Sequence, residues 1–356
     1  MDYALSAMIL AAASITNPNY VPTNWQTYLL TVFIMLIHAC ISSMPTKWIA
    51  QFNSYGSTFN MIGLVVVIIM IPASVTDYVD PVSGDTFPKF LPSSQVWSIQ
   101  NGTEWPDGVA VLMSFIAIIW TMSGYDAPFH LSEECSNAAV ASPRAIVMTA
   151  GTGGLFGWAL QLVVAYTVQN IPDVIGSDLG QPWASYLVQV MPQKIALAVL
   201  ALTIVCAFSM GQGCMVAASR VTFAYARDGC FPGSWWIKRV NKHTYTPVNA
   251  VWFNTTIGCC LLFLIFGGPI AIGAIFSVGA IAAYVAFTIP IFIKTFFVGN
   301  RFRRGPWHLG KFSKPIGICA CSFILVMMPI LCFPSVKNGD LTATLMNWTI
   351  VVYGGP

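Results

Sequence analysis

Ser123, Gly124, Tyr125, Asp126, Ala127 and Pro128 interrupt an apolar run that begins at Val109, and His130, Glu133 and Glu134 follow within a few residues. Residues of these types at this spacing can hold a small charged molecule. Pro128 has no N–H to offer the carbonyl of Gly124, its ring clashes with that carbonyl, and Gly124 is itself a weak helix former. The spacing therefore predicts a broken helix with the Gly124 carbonyl left free. Asp126 is an acidic residue inside apolar sequence, which is costly in hydrocarbon and points to function by default. It can pair with a substrate ammonium or take up a coupling proton. The competing reading is a proline kink near the end of a span, with Asp126 solvated and Tyr125 an interfacial aromatic.

The elements that must position these residues are apolar and long. The chain has 356 residues, 56% hydrophobic and 8% charged, with a mean hydropathy of +0.70; soluble domains carry about 25% charged residues. Such a chain is built for lipid. Runs long enough to cross a bilayer fall at 27–43, 59–75, 109–129, 145–168, 194–217, 248–266, 270–297 and 315–335, giving eight expected full spans. Two shorter apolar stretches, Tyr3 to Ile15 and Leu345 to Tyr353, are expected to be partial spans cut by the ends of this chain. The fold class is all-α and polytopic. No charged n-region or cleavage site of a signal peptide precedes the first stretch.

Basic residues choose a side. Lys47, Arg144, the group Arg220, Arg227, Lys238, Arg239 and Lys242, and the group Lys294, Arg301, Arg303, Arg304, Lys311 and Lys314 alternate along the chain with loops holding only Lys89, Lys194 and Lys337. The basic loops are expected to be cytoplasmic. The opposite loops collect Asp77, Asp80, Asp85, Glu104, Asp107, Asp173, Asp178 and Asp340. Asn101, Gly102 and Thr103 form a glycosylation acceptor in the longest of them, a weak signal because Asn254 to Thr256 repeats the pattern inside a span.

Elsewhere the candidates are sparser. Ser209 and Gln212, with Gly211 and Gly213, add small and polar groups that either face the break or serve helix packing. Tyr284 is a candidate aromatic wall for an amine. His38 and His130 stand without carboxylate or cysteine partners at ligand spacing and read as packing or interface residues. Ten cysteines are present, mostly inside apolar runs and without paired metal spacing, so they read as small hydrophobes. No metal or cofactor is expected. The net charge of +3 is scattered over loops, which is not a nucleic-acid footprint. The sequence has no phosphate-cradling G-x-x-x-x-G-K-[ST] run to drive an ATP pump, and no charge ring or filter repeat of a channel.

The run Ser123 to Glu134, followed by Asn137, Ala138, Ser142, Pro143 and Arg144, resembles the amino acid/polyamine/organocation permease superfamily, nearest its fungal amino acid, GABA and choline permeases. A second block agrees: Ser219, Arg220, Tyr225, Ala226, Arg227, Asp228, Gly229 and Pro232 resemble the cytoplasmic loop after the eighth helix of those proteins. The resemblance implies a LeuT-like fold of two inverted five-helix repeats, with substrate held between the broken first helices of each.

On that fold, 1–108 corresponds to late helix three through helix five and an outer loop. Residues 109–297 form the second repeat, helices six to ten, and 298–356 a cytoplasmic loop, helix eleven and the start of helix twelve. The partner half-site would lie outside this chain, so the chain alone is expected not to transport. The implied substrate-facing residues are Ser123, Gly124, Tyr125, Asp126, Ala127 and Tyr284. Asp126, Glu133, Glu134, Ser209 and Gln212 are the coupling or gating candidates, and Arg220, Arg227 and Asp228 organise a loop. The implied function is proton-coupled uptake of an amino acid, GABA or a choline-like amine at the plasma membrane, with substrate, proton and bilayer as partners. Two alternatives stand beside it: an inactive fragment of such a permease, and a membrane-embedded enzyme requiring His with Asp or paired carboxylates.

Overall fold

The computed structural model describes residues 1–79, 84, 86–267, 269–331 and 333. The elements run α1 (Asp2–Thr16), α2 (Asn24–Ser42), α3 (Thr46–Ser74), a hairpin of β1 (Tyr78–Val79) and β2 (Thr86–Phe87), α4 (Ser93–Val96), α5 (Asp107–Thr121) and α6 (Ala127–His130). They continue with α7 (Ala138–Thr167), α8 (Ile171–Gly176), α9 (Pro182–Val190), α10 (Gln193–Arg227), α11 (Ser234–Ile237), α12 (Val248–Leu262), α13 (Pro269–Phe292) and α14 (Ser313–Leu331). Among the described residues, six helical segments are long and apolar enough to cross a membrane: α2, α3, α7, α10, α12 with its 3-10 extension to Gly267, and Gly310–Ile330. Shorter apolar helices are α1, α5 and Ala282–Val298.

Two of the expected boundaries moved furthest. The span expected at 59–75 begins at Thr46, because Gln51, Asn53, Ser54 and Tyr55 continue the same helix beyond its hydrophobic part. The span expected at 194–217 runs on to Arg227, so Ser219 to Arg227 are the last turns of α10 and not a loop; only Asp228 onward leaves the helix. The chain turns away at Gly229 and Gly233, both at φ +79°, a backbone conformation that glycine adopts without strain. The expected partial span Leu345 to Tyr353, with Asp80, Lys337, Asp340 and Asp85, lies outside the described residues.

The described residues form two compact units, each drawn from two stretches: Met1–Trp97 with Gly154–Phe266, and Ser98–Gly153 with the described residues from Gly267 onward. In the first, α10 is the axis. Gly56 and Gly63 of α3 face it so closely that a Cβ at either would come within 3.0 Å of Ser209 Cβ or 2.7 Å of Cys206 Sγ. Small residues replace bulk so that backbones approach, the packing solution membrane helices use in place of a hydrophobic drive. Leu5, Ala11, Ile71, Leu187 and Leu200 make the centre of its core. Large side chains on the other face of α3 stay exposed, among them Tyr55, Ile62 and Ile69, the surface a bilayer would cover.

The loops of this unit are clasped by amides. Gln189 Oε1 accepts from the backbone N–H groups of Gln169 and Asn170, both at 3.2 Å, while Gln169 Nε2 donates to the carbonyls of Thr76 and Pro88. Tyr186 of α9 is hydrogen-bonded to Thr167, and burial pushes its phenol up to about 12.

The second unit packs α5 and α13 on α14. Ile119 and Met327 are its buried centre, surrounded by Phe115, Ile116, Tyr284, Val285 and Met328. Trp105 stacks on Phe333 with the rings 11° from parallel.

Candidate functional site

The apolar run from Val109 breaks where the sequence requires it. Helix α5 ends at Thr121, the N–H of Met122 closes on Ile118 O at 2.9 Å, and Gly124 then carries a φ of +90°. A Cβ at Gly124 would meet nothing within 4 Å, so glycine is needed there for its backbone freedom and not for space. The single turn α6 restarts with Pro128 in its first positions, where a missing N–H costs nothing.

One expectation fails here. The Gly124 carbonyl is not free: the Ala127 N–H donates to it at 3.2 Å. Pro128 removes the donor four residues on, and the residue three on closes a tighter turn in its place. Two carbonyls further along are also taken up, Asp126 O by Phe129 N at 2.8 Å and Ala127 O by Leu131 N at 3.2 Å. The chemistry of the break therefore falls to side chains.

Asp126 and His130 supply it. Asp126 Oδ2 lies 2.7 Å from His130 Nε2, with the side chains 22% and 26% exposed. His130 is not partnerless, contrary to the expectation from sequence. The i, i+4 spacing was in the sequence, and the one-turn helix α6 is what brings the two groups onto one face.

Asp126, but not His130, lines a cavity of about 270 Å³. Ser123, Gly124, Tyr125 and Asp126 line it together with Ile119, Trp120 and, from α13, Ala283, Tyr284 and Phe287. The Tyr125 and Phe287 ring centroids are 6.1 Å apart. One carboxylate walled by aromatic rings suits an ammonium group, through charge-assisted hydrogen bonding and attraction to ring faces. The volume is just below the range that holds drug-sized ligands, so it fits a smaller molecule. Ser123 Oγ donates to Trp120 O at 2.7 Å. Ala127 is not among the lining residues.

The remaining candidates lie elsewhere. Glu133 and Glu134 sit in an exposed 3-10 turn, Ser132–Glu134, and do not line the cavity. Ser209 and Gln212 belong to α10 in the first unit, Ser209 packed against Gly56 and Gln212 fully buried. Gln212 Nε2 donates to Ser42 Oγ at 2.8 Å, and its Oε1 has no hydrogen-bond partner among the described residues. Arg220 is buried and donates to Ser219 Oγ at 3.3 Å, while Arg227 and Asp228 form an exposed pair at 3.6 Å.

Gly211, next to Gln212 on α10, packs against His38, a residue expected to serve packing or an interface without a carboxylate partner. His38 of α2 is fully buried, its ring 4.4 Å from that of Phe208, and its Nδ1 lies 3.2 Å from Asp2 Oδ1 of α1. Neither ring nitrogen has a hydrogen-bond partner among the described residues. Gly211 makes the room: a Cβ there would come within 2.7 Å of Asp2 Oδ1 and 2.8 Å of His38 Cε1. His38 too, then, has a carboxylate neighbour. The two stand on separate helices far apart in the chain, so no local spacing could have revealed it.

Long apolar helices, and one helix broken around an acidic and aromatic cavity, define a polytopic helical membrane protein. A family described as amino acid permease matches residues 1–356. An uncharacterized amino-acid permease of Schizosaccharomyces pombe is 53% identical over 99% of this chain and 64% of its own length. A Candida albicans protein, named provisionally as a polyamine transporter, is 46% identical over 100% of this chain and 64% of its own. Amino-acid permease 2 of Neurospora crassa is 31% identical over 99% and 63%. The chain belongs to the amino acid permease family, within the superfamily that its broken-span motif resembles. It spans less than two thirds of the length of these curated relatives.

Proposed function

We propose that the protein is a secondary active permease of the plasma membrane that carries an amino acid or a related amine, such as GABA, choline or a short polyamine, together with protons. The observation that carries this reading is the single carboxylate, Asp126, facing a cavity walled by Trp120, Tyr125, Tyr284 and Phe287 at a helix break. Broken helices at membrane depth persist where they line a cavity, and transporters place substrate there. The polyamine member of the substrate class rests on the name of the Candida albicans relative.

In this reading 1–108 and 109–297 are the remnant of one inverted repeat and the whole of the next, 298–356 leads into the closing helices, and eight full spans cross the bilayer. Ser123, Gly124, Tyr125 and Tyr284 shape the substrate face. The Asp126–His130 pair accepts the coupling proton and exchanges it for the substrate ammonium as one bundle rocks against another. Ala127 acts through its N–H in closing the turn. Glu133 and Glu134 gate the cytoplasmic side, and Ser209 and Gln212 hold the helices against which the motion works.

A paired His and Asp would also meet the geometric condition for a membrane-embedded enzyme, so the test must separate the two. Uptake of labelled amino acids, GABA, choline and a diamine is measured in vesicles containing the full-length protein, with and without an inward proton gradient. The expected result is gradient-dependent accumulation of unmodified substrate, reduced at least about tenfold by Asp126→Asn, which removes a charge-assisted hydrogen bond. Chemically altered substrate in the vesicles, or uptake that Asp126→Asn leaves unchanged, would overturn the proposal.

A further inference from the structure

The largest concentration of positive charge in the chain lies outside the lining of the Asp126 cavity. Lys294 follows α13, Arg304 and His308 lie in the loop beyond it, and Lys311 and Lys314 bracket the start of α14. The structure gathers all five around one cavity of about 600 Å³ in the second unit. Arg301 and Arg303 of the same loop are not among its lining residues, so the convergence is selective.

The cavity is built, not incidental. Lys294 Nζ donates to Ser313 Oγ at 2.9 Å and stands 5.1 Å from the centre of the Phe302 ring. One cation is thus fixed from two sides. Ser313 opens the 19-residue helix α14, and it and Lys314 line the cavity, so the helix adds the positive end of its dipole. No Asp or Glu is among the lining residues. Like charges turned toward one space repel, and an anion carrying several charges relieves that repulsion.

The flanks point to an anion attached to a lipid. Phe296, Phe297 and Phe312 are 53%, 74% and 72% exposed, and they neighbour the lining residues Thr295, Lys311 and Ser313 in the chain. Trp307 lines the cavity itself. Exposed aromatic rings beside a basic cavity at the ends of apolar helices match a ligand whose charged head enters the cavity and whose chains stay in the bilayer. Basic loops of this kind lie on the cytoplasmic side, where anionic lipids concentrate.

We propose that Lys294, Arg304, His308, Lys311 and Lys314 form a binding site for the multiply phosphorylated headgroup of a membrane lipid, separate from the substrate cavity and independent of the transport proposal. Arg304 grips a phosphate through its planar fork, and the lysines neutralise the remaining charge.

The test uses the full-length protein in phosphatidylcholine nanodiscs, with or without a bisphosphorylated inositol lipid, and reads retained lipid by native mass spectrometry. Soluble inositol hexakisphosphate is titrated in parallel. The wild type is expected to retain the phosphorylated lipid, and R304Q/K311Q/K314Q to weaken retention on the order of tenfold for each phosphate hydrogen bond removed. R301Q/R303Q should hold it within about twofold, and the charge-keeping K311R/K314R, with Arg304 retained, should keep most of it while matching the wild type in thermal stability. Equal losses in the two neutralised variants would reduce the effect to bulk charge and overturn the site. Retention unchanged by R304Q/K311Q/K314Q would overturn it as well. Tight binding of the soluble polyphosphate without lipid retention would overturn the lipid source.

Discussion

Among the described residues a histidine–carboxylate pair stands in each compact unit, and the two are built in opposite ways. His38 and Asp2 come from different helices, the imidazole is sealed from solvent, and their 3.2 Å approach makes no hydrogen bond. His130 and Asp126 are four residues apart on one turn, about a quarter exposed, and bonded at 2.7 Å. The first pair is held by the packing of α1, α2 and α10, with Gly211 leaving room for it. The second is held by a local turn, and its carboxylate, Asp126, lines a cavity. A buried polar group fixed by its surroundings serves the scaffold, whereas one that keeps solvent access can exchange a proton or a ligand.

That contrast can be broken or sharpened by substitution in the full-length protein. His38→Ala empties a site sealed among packed helices and should cost about 2–4 kcal/mol, by analogy with other large-to-small core changes. Thermal unfolding in detergent reads it, and an unaltered midpoint would mean that the pair is not part of the scaffold. Gly124→Ala should cost about 1–2 kcal/mol for forcing a β-carbon into φ +90°, although it touches nothing. Its effect should show in substrate affinity as well as in stability; loss of stability alone would detach the turn from the site. His130→Gln removes a partly exposed partner and should lower stability by no more than about 1 kcal/mol. Its signature is a changed pH profile of uptake, and a profile identical to the wild type would take His130 out of proton transfer.

How much of this was legible in sequence follows from the same contrast. The break was legible because Gly124 and Pro128 act on their own backbone, and Asp126 because an acid in apolar sequence is conspicuous. Tyr284 was found as an isolated aromatic, and α13 brings it to the cavity 160 residues down the chain from Gly124. The Asp126–His130 pair is present as an i, i+4 spacing, which the expectation of a broken helix gives no reason to read as one helical turn. The bond from Ala127 to Gly124 was hidden for the same reason, since a helix break need not leave a carbonyl unpaired. His38 and Asp2 had no local signal. The same is true of the cavity around Lys294 and Lys314: in sequence the basic residues mark a side of the membrane, and only the fold shows which of them converge.

The transport proposal turns on binding of the substrate amine by the broken span with Asp126. It is tested most directly by equilibrium binding of labelled substrate to the purified full-length protein, wild type against Asp126→Asn, without any gradient. Saturable binding is expected to weaken on the order of tenfold in the variant, as when one charge-assisted hydrogen bond is removed, with the unfolding midpoint lowered no more than in His130→Gln. Equal affinity in the two proteins would place the substrate elsewhere and contradict it.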